Sequence, residues 1–322
     1  MNEKNRRSGR ADTTPVWLAG TCALAAMTLS VPSGADVYSL PTPNDSVIGT
    51  PFYVKTNKEH TLLDIGRHYG LGFDEMEQAN PKVDMWVPGE GAEVLVPALH
   101  VLPNAPRNGI VLNTAEKRIY YFRSPTEVET FPAGTGREGW ETPVGDYTII
   151  EKIKDPTWTP PESVRREHAA KGDILPAVVP AGPDNPLGAY AMRLSNPSYL
   201  FHGTNKPWGV GMQVSHGCTR MYPEDIERLF GEVETGTPVK IVNQPYKVGW
   251  LGNLLYLEAN AHTDAAMAES AKEIIPASIA NADGVVVDWD EVRRVQAENA
   301  GLPRVVGGRQ GSMSWHHFDM IF

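Results

Sequence analysis

The chain has 322 residues, is 41% hydrophobic and carries a formal net charge of −10. That length accommodates one sizeable core with a smaller module beside it. The acidic balance excludes a nucleic-acid binder, whose phosphate contacts demand basic patches.

The N-terminus opens with Lys4, Arg6, Arg7 and Arg10, runs into an apolar stretch over 16–31, and reaches Ser33-Gly34-Ala35, small residues of the kind a signal peptidase reads. We read 1–35 as a signal peptide cut after Ala35, which predicts export. A retained anchor helix, the competing reading, needs roughly 20 apolar residues, and this stretch is broken by Thr21, Thr28 and Ser30. Cys22 does not make this a lipoprotein signal, because Thr21 stands where a small residue should directly precede the cysteine. Four basic and two acidic residues leave with the leader, so the remainder has a net charge of −12 and Cys218 as its one cysteine. No intramolecular disulfide can then form. An unpaired thiol in an oxidising compartment is a liability unless it is buried or has a task.

Residues 36–50, with Pro41 and Pro43 among small polar residues, read as a linker. Over 51–98 the pattern predicts a strand at 52–54, then a helix from Thr61 in which Leu62, Ile65, Gly66 and Tyr69 recur at helical spacing and Gly70 supplies the stop. A second helix over 73–79 ends at Asn80-Pro81, and a strand over 93–96 closes against the first. This order, with Tyr53-Val54, the Thr61-Leu62 entry, Asn80-Pro81 and Val94-Leu95-Val96-Pro97, resembles a LysM domain, a family that binds N-acetylglucosamine-containing glycans. Glu59-His60 stand where that family has Gly-Asp before the helix. The alternative is a small α+β adaptor.

A Pro- and Asn-bearing joint at 103–108 precedes short strands at 110–112, 118–122, 127–131 and 145–153, so 107–243 reads as mainly β. The segment 155–186 holds Pro156, Pro160, Pro161, Pro176, Pro180 and Pro183 and cannot be sheet interior, because proline lacks the ladder donor. It is predicted as a long excursion over the active site. Strand character returns at 189–194 and 199–202, lapses through a loop bearing Gly203, Gly209 and Gly211, and resumes at 239–242. A mixed extension over 244–322 comes next, with a hairpin around Gly252-Asn253 and a helix over 263–275. A further helix starts at Asp288, where Glu291 completes a capping box, and Gly301 ends it. The aromatic-rich tail at 312–322 receives no assignment.

Chemistry concentrates at Ser215-His216-Gly217-Cys218-Thr219-Arg220, followed by Pro223-Glu224-Asp225 as the first turn of a helix that runs to Phe230 and stops at Gly231. A free thiol has a pKa of about 8.5 and needs positive charge or a helix N-terminus to gain thiolate character. Arg220, His202, His216 and the helix start are candidates to supply it. Gly217 lets the backbone approach a carbonyl closely, which makes the N–H groups of Gly217 and Cys218 candidates for an oxyanion hole. The base should be a histidine, whose pKa lies near working pH. His202 ends a strand sixteen residues before the cysteine and His216 lies two before it, and local chemistry alone admits either. A zinc reading with His202, His216 and Cys218 lacks a fourth ligand or a Cys-x-x-Cys pair, so neither metal nor cofactor is expected. Trp140 and Trp208 are either groove-lining or packing aromatics.

His202-Gly203-Thr204, the glycine-bearing loop, residues 215–220, and the upstream Thr142-Pro143-Val144-Gly145-Asp146-Tyr147 together resemble the catalytic motif of the L,D-transpeptidase (YkuD) family. The resemblance covers roughly 108–243, and the region after it looks like the C-terminal extension of Gram-negative members. It implies a YkuD-like β-sandwich, a periplasmic location and peptidoglycan as substrate. Cys218 would attack the carbonyl of the L-centre of meso-diaminopimelate in a donor tetrapeptide, expel D-alanine and form a thioester. The acceptor would be a second diaminopimelate, the lysine of an outer-membrane lipoprotein, or a D-amino acid. The resemblance makes His202 the base, oriented by the Gly203 carbonyl, and His216 a supporting group. Ser215, Thr219 and Arg220 become substrate contacts, and a carbapenem is expected to acylate Cys218. A cysteine hydrolase on the same scaffold and a non-catalytic wall-binding protein are the other readings.

Overall fold

Two short stretches that look unremarkable in sequence tie the N-terminal part of the chain into the rest. The computed structural model describes residues 37–260 and 270–311. The expected signal peptide, residues 263–269 of the expected helix and the tail from 312 lie outside them. The expected linker contains two strands, β1 (Val37–Ser39) and β2 (Val47–Gly49), and Leu40, Val47 and Ile48 are buried. A flexible tether could not bury them. The linker reading is therefore corrected, the reason being that each strand borrows its partner from a distant segment.

The next unit has the order and bounds expected of it: β3 (Phe52–Lys55), α1 (Leu62–His68), α2 (Phe73–Ala79) and β4 (Glu93–Val96), with β3 and β4 antiparallel. Thr61 and Asp64 form a reciprocal cap at the start of α1: Thr61 Oγ1 accepts from the Asp64 N–H at 3.1 Å, and the Asp64 carboxylate accepts from the Thr61 N–H at 2.9 Å. Asn80 at the end of α2 is buried and bonds to both the N–H and the C=O of Leu95, which fastens the helix end to β4. Leu62, Ile65, Leu71, Met76, Val94 and Val96 form this unit's core.

β5 (Leu99–Val101) pairs with β2 and leads into the mainly β part. There follow β6 (Gly109–Asn113), β7 (Arg118–Ser124), β8 (Glu127–Pro132), the short β9 (Thr135–Gly136) and β10 (Gly145–Lys154). The proline-rich excursion contains α3 (Glu162–Ala170) and returns at β11 (Tyr190–Leu194) and β12 (Leu200–His202). Next come β13 (Gln213–Ser215), β14 (Thr219–Arg220), α4 (Pro223–Glu232) and β15 (Pro238–Val242). Among the described residues the largest sheet has nine strands, in the order β1-β8-β7-β6-β15-β10-β11-β12-β14. One core cluster gathers Ile110, Leu112, Ile119, Phe131 and Phe201 with Ile226 and Leu229 of α4. A second gathers Val111, Tyr120, Phe122 and Val128 with Leu40, Ile48 and Leu102. The alternation of residues 110–112 between the two clusters is the period of two that a sheet covered on both faces requires. The domain is mainly β, as expected. Helix α4 runs past Gly231, where a Cβ would meet open space, and closes at Val233, so Gly231 is not its stop.

The extension has its hairpin, β16 (Tyr246–Leu251) and β17 (Leu254–Ala259), on either side of Gly252-Asn253. Then come α5 (Ala271–Ile274), α6 (Ala277–Ala280), β18 (Val285–Val287), α7 (Trp289–Glu298) and β19 (Arg304–Arg309). Asp288 caps α7 through the N–H groups of Asp290 and Glu291, but the Glu291 side chain pairs with Arg294 and Arg304 rather than closing a capping box. Asn299, in the left-handed conformation, ends the helix two residues before Gly301.

Candidate active site

β12 and β14 run parallel, with Phe201 opposite Thr219 and His202 opposite Arg220. This pairing brings together residues that are eighteen apart in sequence and sets Cys218 at the entry to β14, beside the segment that leads into His202. The Cys218 thiol approaches the Ser198 carbonyl at 3.7 Å and receives the Leu200 N–H. Burial raises its pKa, opposed by that N–H and by the nearby Arg193. The cation that favours thiolate is thus Arg193, not Arg220. The resting nucleophile is a thiol.

His202 is buried, and its Nδ1 lies 2.6 Å from the Gly203 carbonyl oxygen. An oxygen of this kind only accepts, so Nδ1 carries the proton and Nε2 presents a lone pair. Burial, then repulsion from Arg220, lowers the His202 pKa to about 4, while the Gly203 hydrogen bond acts in the opposite sense. The imidazole is neutral at neutral pH.

His216 has different company. Its Nε2 lies 2.9 Å from a Glu167 carboxylate oxygen, and Arg137 converges on the same oxygen. The Arg137 guanidinium also lies 3.1 Å from this Nε2, so the three side chains converge on one point. Three side-chain hydrogen bonds, from Arg137, Lys171 and His216, hold Glu167 well below the usual carboxylate range. The indole of Trp140 stands edge-on to the imidazole with centroids 4.9 Å apart. The excursion therefore reaches the motif, through α3. Trp140 belongs to the site, whereas Trp208 lies elsewhere, in a groove with residues of α1.

The remaining motif residues hold the loop. Ser215 Oγ donates to the Cys218 carbonyl at 2.5 Å and accepts from the Gly217 N–H at 3.1 Å. Thr142 Oγ1 accepts from Gly136 and donates to the Gly217 carbonyl, both at 2.9 Å. Gly217 has φ +101, and a Cβ there would lie 2.8 Å from the Tyr199 ring. The Gly217 N–H is thus engaged, and the Cys218 N–H is the one left for an oxyanion. Ser215 is occupied by the turn and Thr219 is buried opposite Phe201, so neither is placed to touch a substrate. Arg220 is half-buried with its Nε unpartnered among the described residues. The sequence reading missed Glu167, Arg137 and Arg193. Only the excursion's expected position over the site pointed toward the first.

The sequence profile of the L,D-transpeptidase catalytic domain (YkuD) matches residues 107–241. The Probable L,D-transpeptidase YcfS of Escherichia coli K12 is 37% identical over 298 residues, covering 89% of this chain and 93% of its own. The Probable L,D-transpeptidase ErfK/SrfK of the same strain is 42% identical over 230 residues, 70% of this chain and 74% of its own. The solved catalytic domain of an Enterococcus faecium L,D-transpeptidase superposes over 43% of this chain and 99% of its own, at 21% identity and a TM-score of 0.33. The chain belongs to the L,D-transpeptidase family and is an enzyme of that kind.

Proposed function

We propose that this L,D-transpeptidase acts on peptidoglycan stem peptides through a thioester on Cys218, with His202 as its base. The observation that supports this is the β12–β14 pairing, which runs the strand ending in His202 alongside the strand that Cys218 precedes, together with the Gly203 carbonyl that leaves Nε2 of His202 its lone pair. Cys218 Sγ attacks the carbonyl before the terminal D-alanine as its proton passes to His202 Nε2. The oxyanion so formed meets the Cys218 N–H. Collapse expels D-alanine, whose amine takes the proton back from Nε2, and leaves the thioester. An acceptor amine then attacks, gives its proton to Nε2, and releases Cys218 as a thiol. The Glu167–His216–Arg137 group ties α3 to the motif and takes no part in proton transfer.

The N-terminal basic and apolar segment supports export to the periplasm, where this substrate lies. Among the described residues no helix is long and apolar enough to cross a membrane. The strand-helix-helix-strand order of β3–α1–α2–β4 supports a LysM-like, glycan-gripping role for residues 51–98. The acceptor is a second diaminopimelate, a lipoprotein lysine or a D-amino acid. Water in that place would make the enzyme a hydrolase. A carbapenem, whose ring carbonyl mimics the donor, acylates the same sulfur.

Incubation with purified tetrapeptide muropeptides, followed by intact mass spectrometry, tests the reading. The expected result is a thioester mass on the parent protein that is absent from Cys218→Ala. Retained binding of muropeptide with neither adduct nor product would leave a wall-binding protein and overturn the proposal.

A further inference from the structure

Away from the thiol, a groove of about 230 Å³ is shared between the N-terminal unit, which contributes Thr61, Asp64, Arg67 and Trp86, and the catalytic domain, which contributes Trp208 and Tyr222. Trp86 and Trp208 are 57% and 54% exposed, and neither indole has an aromatic ring partner among the described residues. Large apolar rings left in water beside a concavity mark a binding surface. Both rings are held ready. The Asp84 carboxylate accepts from the N–H groups of Trp86 and Val87 at 2.8 and 2.9 Å, which fixes the turn bearing the first ring. Trp208 lies in the 3₁₀ turn Pro207–Gly209, closed by the Val210 N–H on the Pro207 carbonyl at 3.0 Å.

The polar groups around the rings restrict what fits. Arg67 is bidentate to Glu224 at 2.6 and 2.7 Å and lies over the Tyr222 ring, so its charge is already matched and offers little to an anion. Asp64 is kept ionised by the Thr61 hydroxyl and N–H. The groove therefore presents flat aromatic faces with carboxylate and hydroxyl acceptors and no free cation. We infer that it binds an uncharged amino-sugar unit of a glycan strand, with an apolar sugar face on the indoles and ring hydroxyls directed to Thr61 and Asp64.

The inference rests on the peptidoglycan reading and adds that the site is composite, completed by the catalytic domain. Trp208 belongs to the same loop, between His202 and Cys218, that carries the motif. That loop also meets α2 directly: the Phe73 N–H bonds to the Val210 carbonyl at 3.0 Å, and at Gly211 (φ +84) a Cβ would fall 2.3 Å from the Phe73 nitrogen. A strand held in the groove and the stem peptide attached to it would thus engage one continuous loop, and the groove would select donors still attached to glycan.

The test titrates a peptide-free β-1,4-linked tetramer of N-acetylglucosamine into the full chain carrying Cys218→Ala, by calorimetry. Binding that falls at least tenfold in both Trp86→Ala and Trp208→Ala, with unchanged thermal midpoints, is the expected result. Binding lost in Trp86→Ala and intact in Trp208→Ala would show that the N-terminal unit suffices and would overturn the composite site. So would no binding, binding untouched by either change, or tighter binding of an acidic peptide at the same two rings. Thioester formation on the parent protein is measured separately, so failure of the groove and failure of the peptidoglycan reading are distinguishable.

Discussion

Two histidines close to one cysteine keep different company, a backbone carbonyl for His202 and an ion pair for His216, and this divides their roles. His202, buried and held by a carbonyl, stays neutral down to about pH 4. The raised thiol pKa of Cys218 means that the resting pair is uncharged rather than a thiolate and an imidazolium. The acid limb of Cys218 acylation is therefore expected near pH 4, with a rate constant flat from pH 5 toward neutrality. A stopped-flow pH profile with a carbapenem checks this, and a limb near 6.5 would contradict a buried neutral base. Glu167→Gln exchanges the carboxylate for an amide that cannot neutralise Arg137, so acylation should slow about tenfold while the acid limb stays in place, since His202 is untouched. Sequence made Cys218 legible because its activating neighbours are contiguous. It left the base ambiguous until a family pattern was invoked. Glu167 was illegible because it comes from a proline-rich segment with no periodicity, 49 positions from its partner.

At the scale of elements, the turn before β14 shows how closely the site is specified. Gly217 adopts a φ that costs an L-residue about 1–2 kcal/mol, and its missing Cβ leaves room for Tyr199. Gly217→Ala should destabilise the fold by about 1–3 kcal/mol in urea melts and displace the thiol enough to abolish acylation. Tyr199→Ala in the same protein should recover part of the stability by relieving the contact. Helix and strand bounds in the N-terminal unit were legible because its caps and stops are local: Thr61 with Asp64, Asn80 with Leu95. β1 and β2 were not, because three-residue strands carry no alternation to count and their partners lie some 90 and 50 residues away. Gly231 misled for a related reason. A glycine facing solvent within an amphipathic helix does not end it, because the apolar residues on the other face, Ile226, Leu229 and Val233, stay anchored.

Across the whole molecule, buried charges join the parts. Arg118 of β7, almost fully enclosed, is bidentate to Glu75 of α2 at 2.8 and 2.7 Å and donates to the Gly70 carbonyl, so the N-terminal unit is docked rather than tethered. Beneath the sheet, Lys247 of the extension bonds to Glu116 at 2.5 Å and Glu258 at 2.9 Å, and Glu258 accepts from the Val101 N–H at 2.7 Å. Burial, offset by Lys247 and reinforced by Glu258, raises the Glu116 pKa to about 7. Lys247→Ala would leave two carboxylates enclosed without a cation, a loss of about 3–5 kcal/mol. A carboxyl whose folded pKa is raised adds stability below its unfolded value that is lost as pH rises through the folded one. The variant's deficit should therefore be larger at pH 8 than at pH 5, as urea denaturation at the two values would show.

The same lysine has a consequence for how the chain closes. It lies 131 positions from Glu116, and Glu258 lies 157 from Val101. Loops of that length close slowly, because their entropy is lost before the contact forms. A chain halted before residue 247 would hold Glu116 in a closing sheet with no counter-charge and would favour reopening over completion. Closure of residues 246–259 on the sheet thus waits on this ion pair, and refolding followed with a prolyl isomerase present should show a slow phase that Glu116→Gln, which needs no cation, would speed.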